Sequence, residues 1–151
     1  MEHLDDSGAE FGLVLLGYRP PQASDALNRI RKAAGDRILH DGEAPIDAYR
    51  KLVSGSEIVV STARQEFFGI SVVEAVAAGC HPVLPNRLSY PWLIPDQFHG
   101  MALYQDGELV DALAAAIEDP GPPEGLAASM ESFSWDVMAP RYDLRLREIA
   151  G

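Results

Sequence analysis

A chain of 151 residues has the size of one domain, and its 47% hydrophobic content is enough to bury a sizeable core. The formal net charge of −11 argues against a domain that binds nucleic acid by itself or docks on a membrane through basic residues. The single cysteine, Cys80, excludes an internal disulfide and is typical of a cytoplasmic protein, and no apolar run approaches the roughly 20 residues of a membrane-spanning helix.

Apolar segments with strand spacing alternate with segments that have helix spacing along the chain. We expect residues 1–10 to be a disordered or artificial tail and residues 11–151 to form the folded domain. Strands are predicted at 11–16, 37–40, 57–62, 81–84 and 101–104, and helices at 25–34, 46–54, 70–78, 108–118, 124–131 and from 135 onward. Pro140 should kink or interrupt the last helix. This alternation predicts an α/β fold with a parallel sheet.

The stretch from Glu57 to Pro85, EIVVSTARQEFFGISVVEAVAAGCHPVLP, indicates a strand, a loop, a helix and a second strand. Ligands of parallel sheets bind at the carboxyl ends of the strands, which is where the loop of residues 62–69 lies. A helix that begins near Ile70 directs free backbone amides at the Phe68-Gly69 turn, and such amides suit a phosphate. Gly69 would allow a ligand to approach the backbone, although a glycine needed only for the turn is equally expected.

Two glutamates flank this junction. Glu74 lies about one turn into a helix whose other residues are mostly apolar, where a carboxylate needs a partner. Its carboxylate could accept two hydrogen bonds from a vicinal diol such as a ribose, or Glu74 could be a solvated helix residue; the apolar neighbours favour the first interpretation. Glu66 lies in the loop, where the far end of the same ligand would be, and could bond sugar hydroxyls.

Other chemistries find little support in the sequence. The four histidines lack the spacing of metal ligands, and there is neither a glycine-rich nucleotide-binding motif nor a nucleophile elbow. Cys80 follows the end of a helix and is expected in the core, and Tyr90 and Trp92 are expected to pack rather than to stack on a ligand.

The motif E-F-F-G-I-S-V-V-E followed by A-V-A-A-G-C-H-P-V resembles the E-x7-E region of retaining nucleotide-sugar glycosyltransferases with the GT-B fold. The longer segment STARQEFFGISVVEAVAAGCHPVLPNRLSYPWLIP looks like the glycosyltransferase-like group that includes tRNA-queuosine α-mannosyltransferase. The resemblance covers roughly residues 11–118. It implies a Rossmann-like three-layer sandwich with a mostly parallel sheet, the C-terminal half of a GT-B fold, without the first strand of that half.

The resemblance also implies roles for individual residues. Glu74 would hold the donor ribose, and Glu66 would be the catalytic residue that contacts the transferred sugar. The sugar and diphosphate would meet the backbone of the loop, at Phe67, Phe68, Gly69 and Ile70. Arg19 and Arg64 are the nearby basic candidates for the diphosphate, although neither matches the basic pair of the family. The nucleotide sugar would be a substrate, and the reaction would need no metal or other cofactor.

Further expectations concern partners. A GT-B enzyme has two Rossmann-like domains, so we expect an N-terminal acceptor-binding domain to be missing and the isolated chain to be inactive. The absent strand would be central, so either the sheet closes around the gap or another chain fills it, as in a strand-exchanged homodimer. The full-length enzyme would transfer mannose from GDP-mannose to queuosine in tRNA. The alternatives are a stand-alone nucleotide-binding or interaction module without catalysis, and another GT-B enzyme such as a nucleotide-sugar epimerase.

Overall fold

The computed structural model describes residues 10–17 and 24–150 as strands and helices in alternation. The strands in these ranges are β1 (Leu13–Leu16), β2 (Ile38–Gly42), β3 (Ile58–Val60), β4 (His81–Pro85) and β5 (Leu103–Tyr104). The helices are α1 (Ser24–Ala34), α2 (Ile46–Ser54), α3 (Ile70–Ala77), α4 (Tyr90–Leu93), α5 (His99–Ala102), α6 (Leu109–Glu118), α7 (Leu126–Ser129) and α8 (Trp135–Ala150). Single 3-10 turns form at Gly35–Arg37, Asp96–Phe98 and Met130–Phe133. The predicted α/β class is confirmed.

The strands form two parallel sheets, one with the order β1-β2 and the other with the order β3-β4-β5. Val14 pairs with His40 in the first sheet, and in the second Ile58 pairs with His81 and Leu84 with Leu103. A doubly wound sheet has the strand order 3-2-1-4-5-6. On that order the position of the first strand lies between β1 and β3, which is where the family resemblance implies a missing strand. Among the described strands, β1 and β3 do not pair with each other.

The core lies around β4 and α3. Every residue of β4 is buried, as expected for a strand covered on both faces. The larger cluster of buried residues joins α3, β4, α4 and the 126–130 segment: Val72, Val73, Val76, Leu84, Tyr90, Leu93, Ile94, Ala102, Leu126 and Met130. The strands β1 and β2 contribute no fully buried residue, and Leu39 is 71% exposed. The well-packed part of the molecule is therefore the part that supports the Glu57 to Pro85 stretch.

Several element predictions differ from the structure; the helix predicted at 124–131, for example, is the short α7, followed by a 3-10 turn. The strand predicted at 101–104 is reduced to Leu103–Tyr104, because the residues before it take a helical turn. The predicted interruption at Pro140 does not occur, since α8 continues through it from Trp135 to Ala150, and the alternative of a kink stays a prediction. The missing proline N–H leaves the carbonyl of Asp136 without its helical partner, and Asp136 is exposed, so water can hydrogen-bond that carbonyl. No helix in the described ranges combines the length and apolar character that crossing a membrane requires.

Candidate functional site

The predicted site is built on the loop that leaves β3 and enters α3. Gly69 precedes the helix in the left-handed conformation, with φ of 95°, and its carbonyl accepts hydrogen bonds from the N–H groups of Val72 and Val73 at 3.0 and 3.1 Å. The N–H groups of Gly69, Ile70 and Ser71 have no acceptor within the described residues. The helix start therefore carries three free donors, one fewer than an uncapped helix would have.

Gly69 is required by the local packing. A Cβ atom at this position would lie 2.8 Å from Leu93 Cδ1 and 3.4 Å from Tyr90 Cε1, both on α4. The positive φ also favours glycine, because other residues are strained in that conformation. The turn therefore brings the backbone at the start of α3 against α4 at a distance that leaves no room for a side chain.

Glu66 turns back toward this helix start. Its Oε1 accepts a hydrogen bond from the N–H of Phe68 at 3.2 Å, and its Cγ lies 3.8 Å from the position of a Cβ on Gly69. The side chain is half-buried, and Oε2 accepts no hydrogen bond from any residue that the structure describes. One carboxylate oxygen is thus tied to the loop and the other is available to a ligand.

Glu74 has the partner that the sequence required. The hydroxyl of Tyr49, on α2, donates to Glu74 Oε2 at 2.6 Å. Burial, the hydrogen bond to Glu74 and the negative charge of Glu74 together raise the pKa of Tyr49 to about 12. Val72, Val73, Ala75 and Val76 face the core, whereas Glu74 is exposed, so the apolar residues of α3 do not enclose its carboxylate.

The two loop phenylalanines have different environments. Phe67 is fully exposed, whereas Phe68 makes edge-to-face contacts with Trp92 and Phe133 at centroid distances of 5.8 and 5.7 Å. Such aromatic pairs add stability beyond the area that they bury. Phe68 therefore anchors the loop to α4, and Phe67 and the 59% exposed Ile70 remain at the surface.

The structure describes only one of the two predicted arginines. Arg19 lies outside the described residues, and Arg64 is exposed without an ion pair to any residue inside them. Arg87, which the sequence analysis missed, donates from Nε to the carbonyl of Ala63 at 3.3 Å and forms an ion pair with Asp106. It lies two residues after the end of β4, so its position near the carboxyl end of a strand was a signal that could have identified it.

A hydrogen-bonded network fixes the start of the loop. Ser61 Oγ lies 2.7 Å from Tyr90 Oη, and the hydroxyl of Tyr104 donates to the Ser61 carbonyl at 2.9 Å. Burial is the main cause of the raised pKa of Tyr90; the charge of Glu66 raises that pKa further, while the Ser61 hydrogen bond and the charge of Arg87 lower it. The carboxylate and the guanidinium therefore act on the same phenol from one edge of the sheet.

A pocket of about 330 Å³ lies at the carboxyl ends of β4 and β5, beside the predicted residues rather than over them. Its lining consists of Asn86, Arg87, Tyr104, Gln105 and Asp106. Arg87 is the residue that connects this pocket to the loop, through its hydrogen bond to Ala63.

Metal-binding and nucleophilic groups do not gather at this edge. Within 10–17 and 24–150, no three histidine, cysteine or acidic side chains are placed to hold a metal ion. His81 is buried, with its ring nitrogens 3.1 and 3.3 Å from the carbonyls of Gly121 and Met101. Cys80 is buried as predicted, and burial raises the pKa of its thiol. Both side chains are part of the buried core.

Comparison with known proteins adds two findings. Residues 1–132 match the family described as "Glycosyl transferases group 1". A curated relative named tRNA-queuosine alpha-mannosyltransferase, from Drosophila melanogaster, is 30% identical over 94 residues, which are 62% of this chain and 25% of the relative. The chain thus spans about a quarter of the length of this relative.

Proposed function

Because this chain belongs to the glycosyl transferases group 1 family, we propose that it is the donor-binding part of a retaining glycosyltransferase. The whole protein would transfer mannose from GDP-mannose to queuosine in tRNA, in the cytoplasm. This finer proposal is supported by the 30% identity to a tRNA-queuosine alpha-mannosyltransferase. The nucleotide sugar is a substrate in this proposal, and no metal or other cofactor takes part.

The observation that carries the proposal is the pair of glutamates around a helix start with free donors. Glu66 lies against the Gly69 turn, and the N–H groups at that turn have no described acceptor. Glu74 is four residues after Ile70, and at 1.5 Å per residue it lies about 6 Å further along the helix axis. A ligand with a diphosphate at the helix start would thus place its ribose near Glu74 and its sugar near Glu66.

The diphosphate needs more positive charge than the helix supplies. An exposed helix N-terminus stabilises a negative charge by about 0.3–1 kcal/mol, which is small beside the charge of a diphosphate. Among the described basic residues, Arg87 contacts the loop but is paired with Asp106, and Arg64 is free. We propose that an N-terminal acceptor-binding domain supplies the remaining cations.

A second partner is proposed for the chain by itself. The break between β1 and β3 is the place where a strand from another chain would complete the sheet, and a strand-exchanged homodimer is one such arrangement. Light scattering at several concentrations would detect this dimer, and a monomer at every concentration would exclude it.

The first test is calorimetric titration of GDP and UDP into the chain and its Glu74→Ala variant. Loss of hydrogen bonds to a charged group should weaken binding by about 1.5–3 kcal/mol, roughly 10- to 150-fold. Glu118→Ala is the matched control, because Glu118 is also an exposed helical glutamate but lies at the end of α6. Unchanged affinity in the Glu74 variant would remove the ribose role.

A nucleotide-binding module without catalysis is the second candidate function. It is favoured by the net charge of −11 and by the pairing of Arg87, which leave the described site short of free cations. Mass spectrometry of nucleosides from queuosine-containing tRNA, after incubation with GDP-mannose and the full-length enzyme, separates the two candidates. Nucleotide binding without any mannosylated nucleoside would favour the module.

A further inference from the structure

The structure gives the carboxylate of Glu74 a fixed position. Within the described residues, the Tyr49 hydroxyl is its one hydrogen-bond donor, and the 2.6 Å distance is that of a strong O–H···O⁻ bond. The two residues are 25 positions apart and lie on different helices, α2 and α3. The contact therefore depends on how these helices pack and not on local sequence.

We propose that Tyr49 is a positioning residue that orients Glu74 for a vicinal diol of the bound nucleoside. The tyrosine hydroxyl takes one lone pair of Oε2, and the remaining lone pairs of the carboxylate are left for the ligand hydroxyls. This inference rests on the proposed function, in which Glu74 binds the ribose, and it deepens that function by naming the residue that prepares the contact.

Exposure of Glu74 is the reason that it needs such a residue. A free glutamate side chain samples several rotamers, and a ligand that immobilises it must overcome that entropy. Tyr49 imposes the same restriction when the chain folds, so the carboxylate is already ordered when the ligand arrives. Because the pKa of Tyr49 is about 12, its hydroxyl keeps its proton and remains a donor at neutral pH.

Tyr49 is itself held on a firm support. Its N–H donates to the Pro45 carbonyl at 2.8 Å in the first turn of α2. The end of that helix is bound to the start of β4, because the Cys80 thiol donates to the carbonyls of Val53 and Ser56 at 3.5 and 3.1 Å. These hydrogen bonds fix α2, which carries the Tyr49 side chain, relative to the buried strand β4.

The opposing interpretation is that Tyr49 merely fastens α2 to α3. A fastening role would change the affinity of every nucleotide by the same factor. A positioning role changes only the part of the affinity that depends on the ribose hydroxyls. The ratio between the dissociation constants of a ribonucleotide and its deoxy analogues separates these effects.

The experiment measures the affinity of GDP, 2′-deoxy-GDP and 3′-deoxy-GDP, with the corresponding uridine series, for the full chain and for Tyr49→Phe. In the unchanged chain we expect removal of a ribose hydroxyl to weaken binding roughly tenfold. In Tyr49→Phe this ratio should fall to roughly one to three, while the affinity of the deoxy forms stays within about twofold of that of the unchanged chain. Tyr142→Phe is the matched control, because Tyr142 is 55% exposed on α8, and it should keep the full ratio.

The other possible results contradict either the positioning role of Tyr49 or the ribose-binding role of Glu74. A full ratio in Tyr49→Phe, or an equal loss for all nucleotides, overturns the positioning role and leaves the ribose role of Glu74 intact. Nucleotide binding without any ratio in the unchanged chain overturns the proposed function of Glu74 and this inference with it. Where the chain alone binds no nucleotide, the same ratios are measured in the full-length enzyme, and absence of binding there overturns both. A double-mutant cycle with Glu74→Ala, which removes the acceptor of the Tyr49 hydroxyl, is the second measurement: the effect of Tyr49→Phe on the ratio should vanish in the Glu74→Ala chain, and persistence there contradicts the inference.

Discussion

The burial of Tyr49, together with its hydrogen bond to Glu74, should make the stability of the chain depend on alkaline pH. The pKa of a free tyrosine is 10.0, and in the folded chain that of Tyr49 is raised to about 12. Between these values the folded state holds the proton more tightly, so the stabilisation is complete below pH 10 and is lost as the pH rises through 12. We expect the urea midpoint to fall less steeply from pH 10 to pH 12 in Tyr49→Phe than in the unchanged chain, as followed by circular dichroism.

The comparison between two variants makes this measurement specific. Burial also raises the pKa values of Tyr90 and Tyr104, but both tyrosines are present in either chain and their contributions cancel. Tyr142→Phe controls for the loss of a tyrosine as such. An equally steep decline in Tyr49→Phe would mean that neither burial nor the contact with Glu74 raises the pKa of Tyr49 in solution.

Single residues also show what the sequence can predict about the site. The apolar neighbours of Glu74 were sufficient to predict that its carboxylate has a partner. The sequence does not identify Tyr49, because a contact across 25 residues is set by the packing of two helices. Arg87 was not predicted either, although it lies two residues after the end of β4, near the carboxyl end of a strand.

At the scale of elements, the two glycines that bound α3 provide a test of how tightly the site is packed. Gly69 and Gly79 both have positive φ, 95° and 101°, so alanine is strained at either position, by roughly 1–2 kcal/mol. A Cβ at Gly69 would also press against Leu93 at 2.8 Å, whereas at Gly79 it meets nothing within 4 Å. Gly69→Ala should therefore lower the free energy of unfolding by about 1–3 kcal/mol more than Gly79→Ala, measured by urea denaturation.

The same pair of variants also reports on ligand binding. A displaced turn at Gly69 moves the free N–H groups of Ile70 and Ser71, so Gly69→Ala should lose nucleotide affinity while Gly79→Ala keeps it. If Gly69→Ala and Gly79→Ala lower the free energy of unfolding equally, the buried Leu93 side chain can move aside. The close packing of the turn against α4 would then not be needed for function.

Glycine and proline residues next to helices and strands account for most of the element boundaries that were predicted correctly. Pro45 and Gly55 bound α2, and α3 runs from Ile70 to Ala77 where 70–78 was predicted. β1, β3 and β5 are shorter than predicted, whereas β2 and β4 are longer and end at Gly42 and Pro85. The interruption predicted at Pro140 is absent, and Asp136, whose carbonyl loses its helical partner, is exposed to water.

At the scale of the whole molecule, the two sheets are buried to different extents. All five residues of β4 are buried, whereas the residues of β1 are only half-buried and alternate residues of β2 are exposed. The residue pattern predicted the parallel strands, but the position of the break came from the resemblance to a family. Periodicity shows which segments are strands and does not show which strands are neighbours.

This asymmetry predicts an order of local stability that hydrogen exchange can measure. Amides open at free energies that follow their burial, so the β4 segment, residues 81–85, should exchange at the rate of global unfolding. The β2 segment, residues 38–42, should exchange faster, because it pairs only with β1 among the described strands and includes the 71% exposed Leu39. Peptide-resolved mass spectrometry on the full chain would test this, and equal protection of the two segments would mean that the sheets unfold as one unit.

The same measurement can locate a partner domain. Slowing of hydrogen exchange at β3 and β1 on addition of an acceptor domain, with exchange at β4 unchanged, would locate that partner at the break between the sheets.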